Sequence, residues 1–313
     1  MKSTRLFVLF LGLISTSAPA QQEPKSQGTA FKSLPMLRSD DQLRYLLPMT
    51  VESKETHFLV DTGCGYSTVV SLDLAKSLKK ELGKPTEMTG IGGDSKSYEV
   101  EFDQFKIGGS YAVKFKQTHV TDLARLRASN VDGKPVKPEG LVGSQTLMAL
   151  RGVLDTAAGR ILVPPSDSPK GIYLGSMKKK GAVIIPMSKK KYAAPYINVT
   201  LMGKTYVFLI DTGATANLIE PEVAKELELE ITGTSAPVVG KGAGVADQAP
   251  RVKATDLLLG DAVQVPELGF TVLRSRGFKE EGQTYGGIIG VLVLNALKAQ
   301  LDFDTYSLII PRN

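Results

Sequence analysis

The chain has 313 residues, 42% hydrophobic and 22% charged, with a formal net charge of +6, two histidines, one cysteine and no tryptophan. That is length enough for two lobes of ordinary domain size, while a lone cysteine excludes an intramolecular disulfide and two histidines exclude a histidine-rich metal site. The positive surplus gathers in the lysine runs 178–180 and 189–191, without interleaved aromatics, which excludes a nucleic-acid surface and fits a solvated basic segment.

Lys2 and Arg5 precede an apolar stretch, Leu6 to Ile14, and the small-residue pattern Ala18-Pro19-Ala20. This is the layout of an export signal over 1–20. The stretch is too short to span a bilayer as a helix, and no later segment reads as membrane-spanning. The expected location is therefore periplasmic or secreted, with no stable membrane insertion after signal cleavage. Residues 21–42 are polar and read as an N-terminal leader, either disordered or a short propiece. A first lobe is expected over 43–165, an exposed basic linker over 166–191, and a second lobe over 192–313.

In the first lobe, Met49-Thr50-Val51 begins a strand that returns through a turn into Phe58-Leu59-Val60 and then Asp61-Thr62-Gly63. A helix follows over 72–82, then a glycine-rich turn, Gly90-Ile91-Gly92-Gly93. Leu141-Val142-Gly143 leads into a second helix over 145–150, then Leu154-Asp155 and an apolar strand ending at Pro164. The second lobe runs through the same series. Ile197-Asn198-Val199 begins a strand, and Val207-Phe208-Leu209-Ile210 enters Asp211-Thr212-Gly213. Helices are expected over 221–229, with Pro221 suited to a first turn, and over 292–298. Between them come Gly240-Lys241-Gly242-Ala243-Gly244 and Ile288-Ile289-Gly290; Leu301-Asp302 and a strand ending at Pro311 close the series.

The register is nearly constant. Gly90 and Gly240 each stand 29 positions after their aspartate, and Gly143 and Gly290 stand 82 and 79 positions after theirs. An ordered series of this kind means internal duplication. Short strands separated by glycine-bearing turns make each copy an all-β lobe with a few short helices.

The residue types point to hydrolysis by paired acids. Two carboxyls a few ångströms apart cannot both ionise cheaply, so they share a proton and titrate together. The ionised member can then take a proton from water while the protonated member hydrogen-bonds a carbonyl. Rival chemistries fare worse. No Gly-x-Ser-x-Gly elbow is present, and Cys64 with His57 lacks an orienting partner, so Cys64 reads as a small packed thiol. His57 and His119 read as structural or surface residues. Asp155 and Asp302 read as turn or loop residues at the end of each helix.

An apolar run into Asp-Thr-Gly, a glycine-rich turn, then two apolar residues and glycine before a helix: this pattern resembles the aspartic peptidase clan. Lobes of this size are closer to retropepsin-like folds than to pepsin lobes, here with both halves in one chain. The resemblance covers roughly 43–165 and 192–313. It implies a two-lobed retropepsin- or pepsin-like acid protease fold and an aspartic endopeptidase acting on a peptide or protein substrate. Asp61 and Asp211 would form the catalytic dyad, and the Thr62 and Thr212 hydroxyls would bond across the lobe interface. Gly63 and Gly213 would allow close approach there, with Gly143 and Gly290 in strands behind the aspartate loops. Gly90, Ile91, Gly92 and Gly93, and Gly240, Gly242, Ala243 and Gly244, would be flap residues that close on substrate. No metal and no organic cofactor is implied, and the protein would be a monomer. The alternative is a catalytically inactive peptide- or cell-wall-binding protein on the same scaffold. Two departures stand out: neither flap carries a tyrosine as the pepsin flap does, and Cys64 occupies a position more often alanine or serine.

Overall fold

The computed structural model describes residues 6–7, 30–90, 93–115, 118–189, 193–235, 238–239, 245–246, 248–274 and 285–312. Each half builds one sheet around the apolar run that precedes its Asp-Thr-Gly. In the first, strand Tyr45–Val51 returns antiparallel as Lys54–Val60. Strand Gly140–Val142 lies parallel beside Lys54–Val60 and antiparallel to Thr68–Ser71. Thr118–Thr121, Gly93–Glu99 and Pro85–Gly90 extend the sheet beyond that.

The second half repeats the plan. Strands Pro195–Leu201 and Lys204–Asp211 form the hairpin, and Tyr285–Gly290 sits between Lys204–Asp211 and Leu218–Ile219. Strand Pro250–Leu259 pairs with both Pro195–Leu201 and Val263–Val272, and Val263–Val272 pairs with Leu218–Ile219. Six strands thereby close into a barrel. Leu6–Phe7 adds a two-residue parallel pairing at Val263–Gln264.

Alternation explains why the apolar runs are continuous. Phe58 and Val60 face the main core and Leu59 faces the other side; Phe208 and Ile210 face the core and Leu209 the other side. Both faces are covered, so every position is apolar. The helices are shorter than expected, Leu72–Ser77 and Pro221–Glu226 after the two motifs. Ser71 caps the first by accepting the Leu74 N–H at 3.0 Å, and Pro221 opens the second. Both stop early because Lys79 and Glu228 take positive φ, 53° and 50°, which ends a helix. Helices Ser144–Ala149 and Val291–Ala296 end the same way, at Arg151 and Lys298.

A third, six-stranded sheet joins the halves. Hairpin Val153–Asp155/Arg160–Val163 meets hairpin Gln300–Asp302/Ser307–Ile310 through the pair Leu154 and Leu301. Its outer strands correct two sequence expectations. The leader ends well before residue 42: Lys32–Pro35 pairs with Arg160–Val163, Leu37–Arg38 pairs with the start of Tyr45–Val51, and Leu34 is 2% exposed. The basic linker is likewise structured. It contains helix Ile172–Lys179 and strand Val183–Pro186, which pairs with Ser307–Ile310 and buries Ile185. The sequence carried a signal for both, Leu34-Pro35-Met36 and Ile185-Pro186-Met187, 151 positions apart. Each copy begins with this strand. Asp155 and Asp302 end strands rather than helices, and each stabilises the turn that follows. Asp155 accepts the Ala158 N–H at 3.1 Å, and Asp302 accepts the Asp304 N–H at 2.9 Å and the Thr305 hydroxyl at 2.7 Å. Among the described residues no helix is long and apolar enough to cross a membrane.

Candidate active site

Strand alternation places Asp61 on the same side as Leu59, and Asp211 on the same side as Leu209, away from the main core. Each aspartate is anchored by the glycine-ended strand behind it. The Asp61 N–H donates to the Val142 carbonyl at 3.0 Å, and Asp211 lies opposite Gly290. A side chain at Gly143 would strike the Tyr66 and Cys64 carbonyls, and one at Gly290 those of Ala214 and Ala216, so the turns after the motifs pack directly on these strands.

The two motifs meet. Thr62 and Thr212 are fully buried and exchange bonds across the pseudo-twofold axis. The Thr62 hydroxyl donates to the Ile210 carbonyl at 2.7 Å and accepts the Thr212 N–H at 3.0 Å. The Thr212 hydroxyl donates to Val60 at 2.8 Å and accepts the Thr62 N–H at 3.1 Å. Four buried polar groups are thus satisfied only in this arrangement, and leaving one unpaired costs about 1–3 kcal/mol. Ser144 supports the first loop by donating to the Thr62 carbonyl at 2.6 Å, and Asn217 accepts the Gly290 N–H at 2.9 Å in the second.

Each motif's glycine packs on the opposite acid. A β-carbon at Gly63 would lie 2.5 Å from the Asp211 carboxyl carbon, and one at Gly213 would lie 2.7 Å from that of Asp61. Asp211 accepts N–H bonds from Gly213 at 2.7 Å and Gly63 at 3.2 Å, and Asp61 accepts one from Cys64 at 2.9 Å. Asp211 is 4% exposed and Asp61 is half-buried. Burial first, and then the charge of Asp61 and a hydrogen bond to it, hold the Asp211 carboxyl well above the usual carboxylate range, against the pull of the two glycine N–H groups. The arrangement can hold one proton between two carboxyls.

The described glycines of the first expected flap, Gly90 and Gly93, pair with one another at the end of hairpin Pro85–Gly90/Gly93–Glu99. Ile91, Gly92, Gly240, Gly242, Ala243 and Gly244 lie outside the described residues. The stems before and after the second glycine-rich segment, Val238–Val239 and Val245–Ala246, are paired. Met88 brings the first hairpin onto the acid-bearing face, packed in a cluster with Leu59, Cys64 and Leu141. Cys64 is a packed thiol there, 9% exposed. His119 is half-buried. Its ring lies tilted against that of Tyr66, centroids 4.6 Å apart, just past the Asp61-Thr62-Gly63 turn, and its Nδ1 lies 3.3 Å from the Ser97 hydroxyl on strand Gly93–Glu99. The matching positions in the second half are Ala216 and Val272, since Val69 pairs with His119 as Ile219 pairs with Val272. Comparing the two repeats could have found this asymmetry. Among the described residues no group of three or more His, Cys, Asp or Glu could hold a metal ion.

A profile of the aspartyl protease family matches twice, over 47–146 and 197–293, one copy per half. The chain belongs to the aspartyl protease family. Two matches in one chain, each with its own Asp-Thr-Gly, make this aspartyl protease a duplicated, retropepsin-like one. Similar solved structures include the aspartic proteinase from Irpex lacteus, at 13% identity and TM-score 0.49, covering 91% of this chain and 98% of that one. A retropepsin-like aspartic protease from Rickettsia conorii has 20% identity and TM-score 0.29, covering 42% of this chain and 89% of that one. Basic 7S globulin from soybean has 9% identity and TM-score 0.43, covering 91% and 95%. No curated protein matches the sequence.

Proposed function

We propose that this protease is an exported, monomeric endopeptidase that hydrolyses peptide bonds with a water activated between Asp61 and Asp211. The observation that carries the reading is mutual packing: each motif's glycine abuts the other's carboxyl, and the Asp211 pKa is raised by burial and by Asp61. Burial favours the shared proton on Asp211, and the more exposed Asp61 is the ionised partner. Asp61 takes a proton from the water as its oxygen attacks the scissile carbonyl carbon. Asp211 hydrogen-bonds the carbonyl oxygen as negative charge develops there. The tetrahedral intermediate then collapses as the C–N bond breaks, with Asp61 passing the proton it took from water to the departing amine and so returning to its ionised state. General acid-base catalysis of this kind contributes about 10²–10⁴-fold, with positioning adding more.

An extended peptide would lie between the acids and the flap hairpins, adding as a strand through backbone hydrogen bonds. The chemistry uses neither metal nor organic cofactor. Export rests on the residue 1–20 pattern. The deciding experiment profiles the purified protein on a diverse peptide library between about pH 3 and 8, a range bracketing carboxyl titration. Cleavage that falls as pH rises and stops with pepstatin is expected. Asp61→Asn and Asp211→Asn should each lose at least about 10²-fold in turnover with an unchanged circular dichroism spectrum. Full turnover in either variant, or a rate that chelators abolish, would contradict the reading.

A further inference from the structure

The chain's charge is unevenly placed. Of its 38 basic residues, seven lie within 170–191, where there is no acid, and the remaining 31 are outnumbered by the 32 acids. The whole positive surplus therefore sits in one segment. The structure puts residues 172–186 of that segment on one border of the six-stranded sheet. Helix Ile172–Lys179 carries Lys178 and Lys179 in its last turn, Lys180 follows, and Lys170 precedes it. All four are exposed, as are Lys189 and Arg312. Arg312 belongs to the same patch, because a β-carbon on Gly181 would stand 3.9 Å from the Arg312 side chain. None of these six cations forms an ion pair among the described residues. The helix dipole accounts for Lys178 and Lys179 locally, and it has no bearing on Lys170, Lys189 or Arg312.

Beside the cations runs the border strand Val183–Pro186, paired on one side only among the described residues, with Val183 and Ile184 half-buried. Half-exposed aliphatics rimmed by flexible ammonium groups fit a plane of anionic headgroups over an apolar layer. Lysine supplies point charges rather than the planar forks that read bases or paired phosphates, and aromatic stacking partners for nucleic acid are missing from the lysine runs. We propose that this face docks the protease on an anionic phospholipid surface. Strand Val183–Pro186 belongs to the sheet that joins the halves, and Lys189 to a short strand paired with Pro195–Leu201 in the sheet that carries Asp211.

The test is co-sedimentation of the full chain with vesicles of phosphatidylcholine alone and with about one-third phosphatidylglycerol added. The apolar stretch near the N-terminus contributes to both vesicles, so the increment on adding anionic lipid is the readout. The expected increment is large, is lost at about 0.5 M salt, and falls roughly tenfold or more in Lys178→Gln/Lys179→Gln/Lys180→Gln. Lys2→Gln/Arg5→Gln should keep it. Turnover of a soluble peptide and the urea midpoint should be unchanged in the triple variant, showing that it folds; loss of peptide cleavage in the wild type would count against the proposed function and leave this inference standing. Equal binding to both vesicles overturns the proposal, as does a triple variant that binds like wild type. Preference for duplex DNA over anionic vesicles also overturns it. So does a triple variant that self-associates without losing vesicle binding, which would mean the lysines guard the border strand against pairing.

Discussion

Gly63 and Gly213 are constrained by the acids themselves, because the atom each lacks would occupy the space of the opposite aspartate's carboxyl. Gly63→Ala should therefore cut turnover by at least about tenfold by displacing Asp211, since a misplacement of about 1 Å can cost 10²-fold. Gly175→Ala, where a side chain meets nothing within 4 Å, should leave turnover unchanged; parallel kinetics on the two variants check this. The raised pKa of Asp211 also ties stability to pH. The folded state holds that proton more tightly than the unfolded chain, so the stabilisation is complete below the ordinary carboxyl range and is lost as pH rises through the raised value. Asp304 runs the other way. Burial opposes its ionisation, but the bonds from Arg151 and Gly171 outweigh this and pull it below the usual range, so it contributes above that range and loses its share as pH falls. The difference between wild type and Asp211→Asn isolates the first effect: urea unfolding should show the variant gaining stability relative to wild type between about pH 4 and 7.

Among the elements, the strands at the two borders of the six-stranded sheet decide where each copy begins. Leu34 is 2% exposed in the first of them. Leu34→Ala should cost about 2–5 kcal/mol of unfolding free energy, and removal of residues 1–42 should destabilise far more than removal of residues 1–29; thermal melts separate the two. The strands around each Asp-Thr-Gly were legible because both faces are buried and the run is wholly apolar. Lys32–Pro35 and Val183–Pro186 were not, since short strands among serines and lysines resemble linker until the hairpins they pair with are in place. Helix ends were misread for a related reason. Lys79 and Glu228 end helices by adopting positive φ, a conformation that neither residue type signals.

For the whole molecule, the threonine exchange and the pair Leu154 and Leu301 join the halves, together with Tyr45, whose one hydroxyl proton lies between the Thr156 carbonyl, 2.9 Å away, and Asn295 Oδ1 of the second half. Both acids are held by one chain, so turnover per molecule should not fall on dilution, unlike that of a dimer whose site needs two chains; a progress-curve series at decreasing enzyme concentration measures it. Thr62→Val should weaken unfolding free energy by about 1–3 kcal/mol by leaving the Thr212 N–H and the Ile210 carbonyl unpaired.

The sequence by itself determined the duplication, the two aspartates and the all-β class, because a repeated motif in constant register and an unbroken apolar run are local patterns. Only the tertiary structure decided that Asp211 is the more buried acid, that Thr62 and Thr212 exchange their bonds, and that the apparent leader and linker complete a shared sheet. Those outcomes depend on which surfaces meet across about 150 residues of chain, and burial and pairing at such range are properties of the packed molecule rather than of any segment.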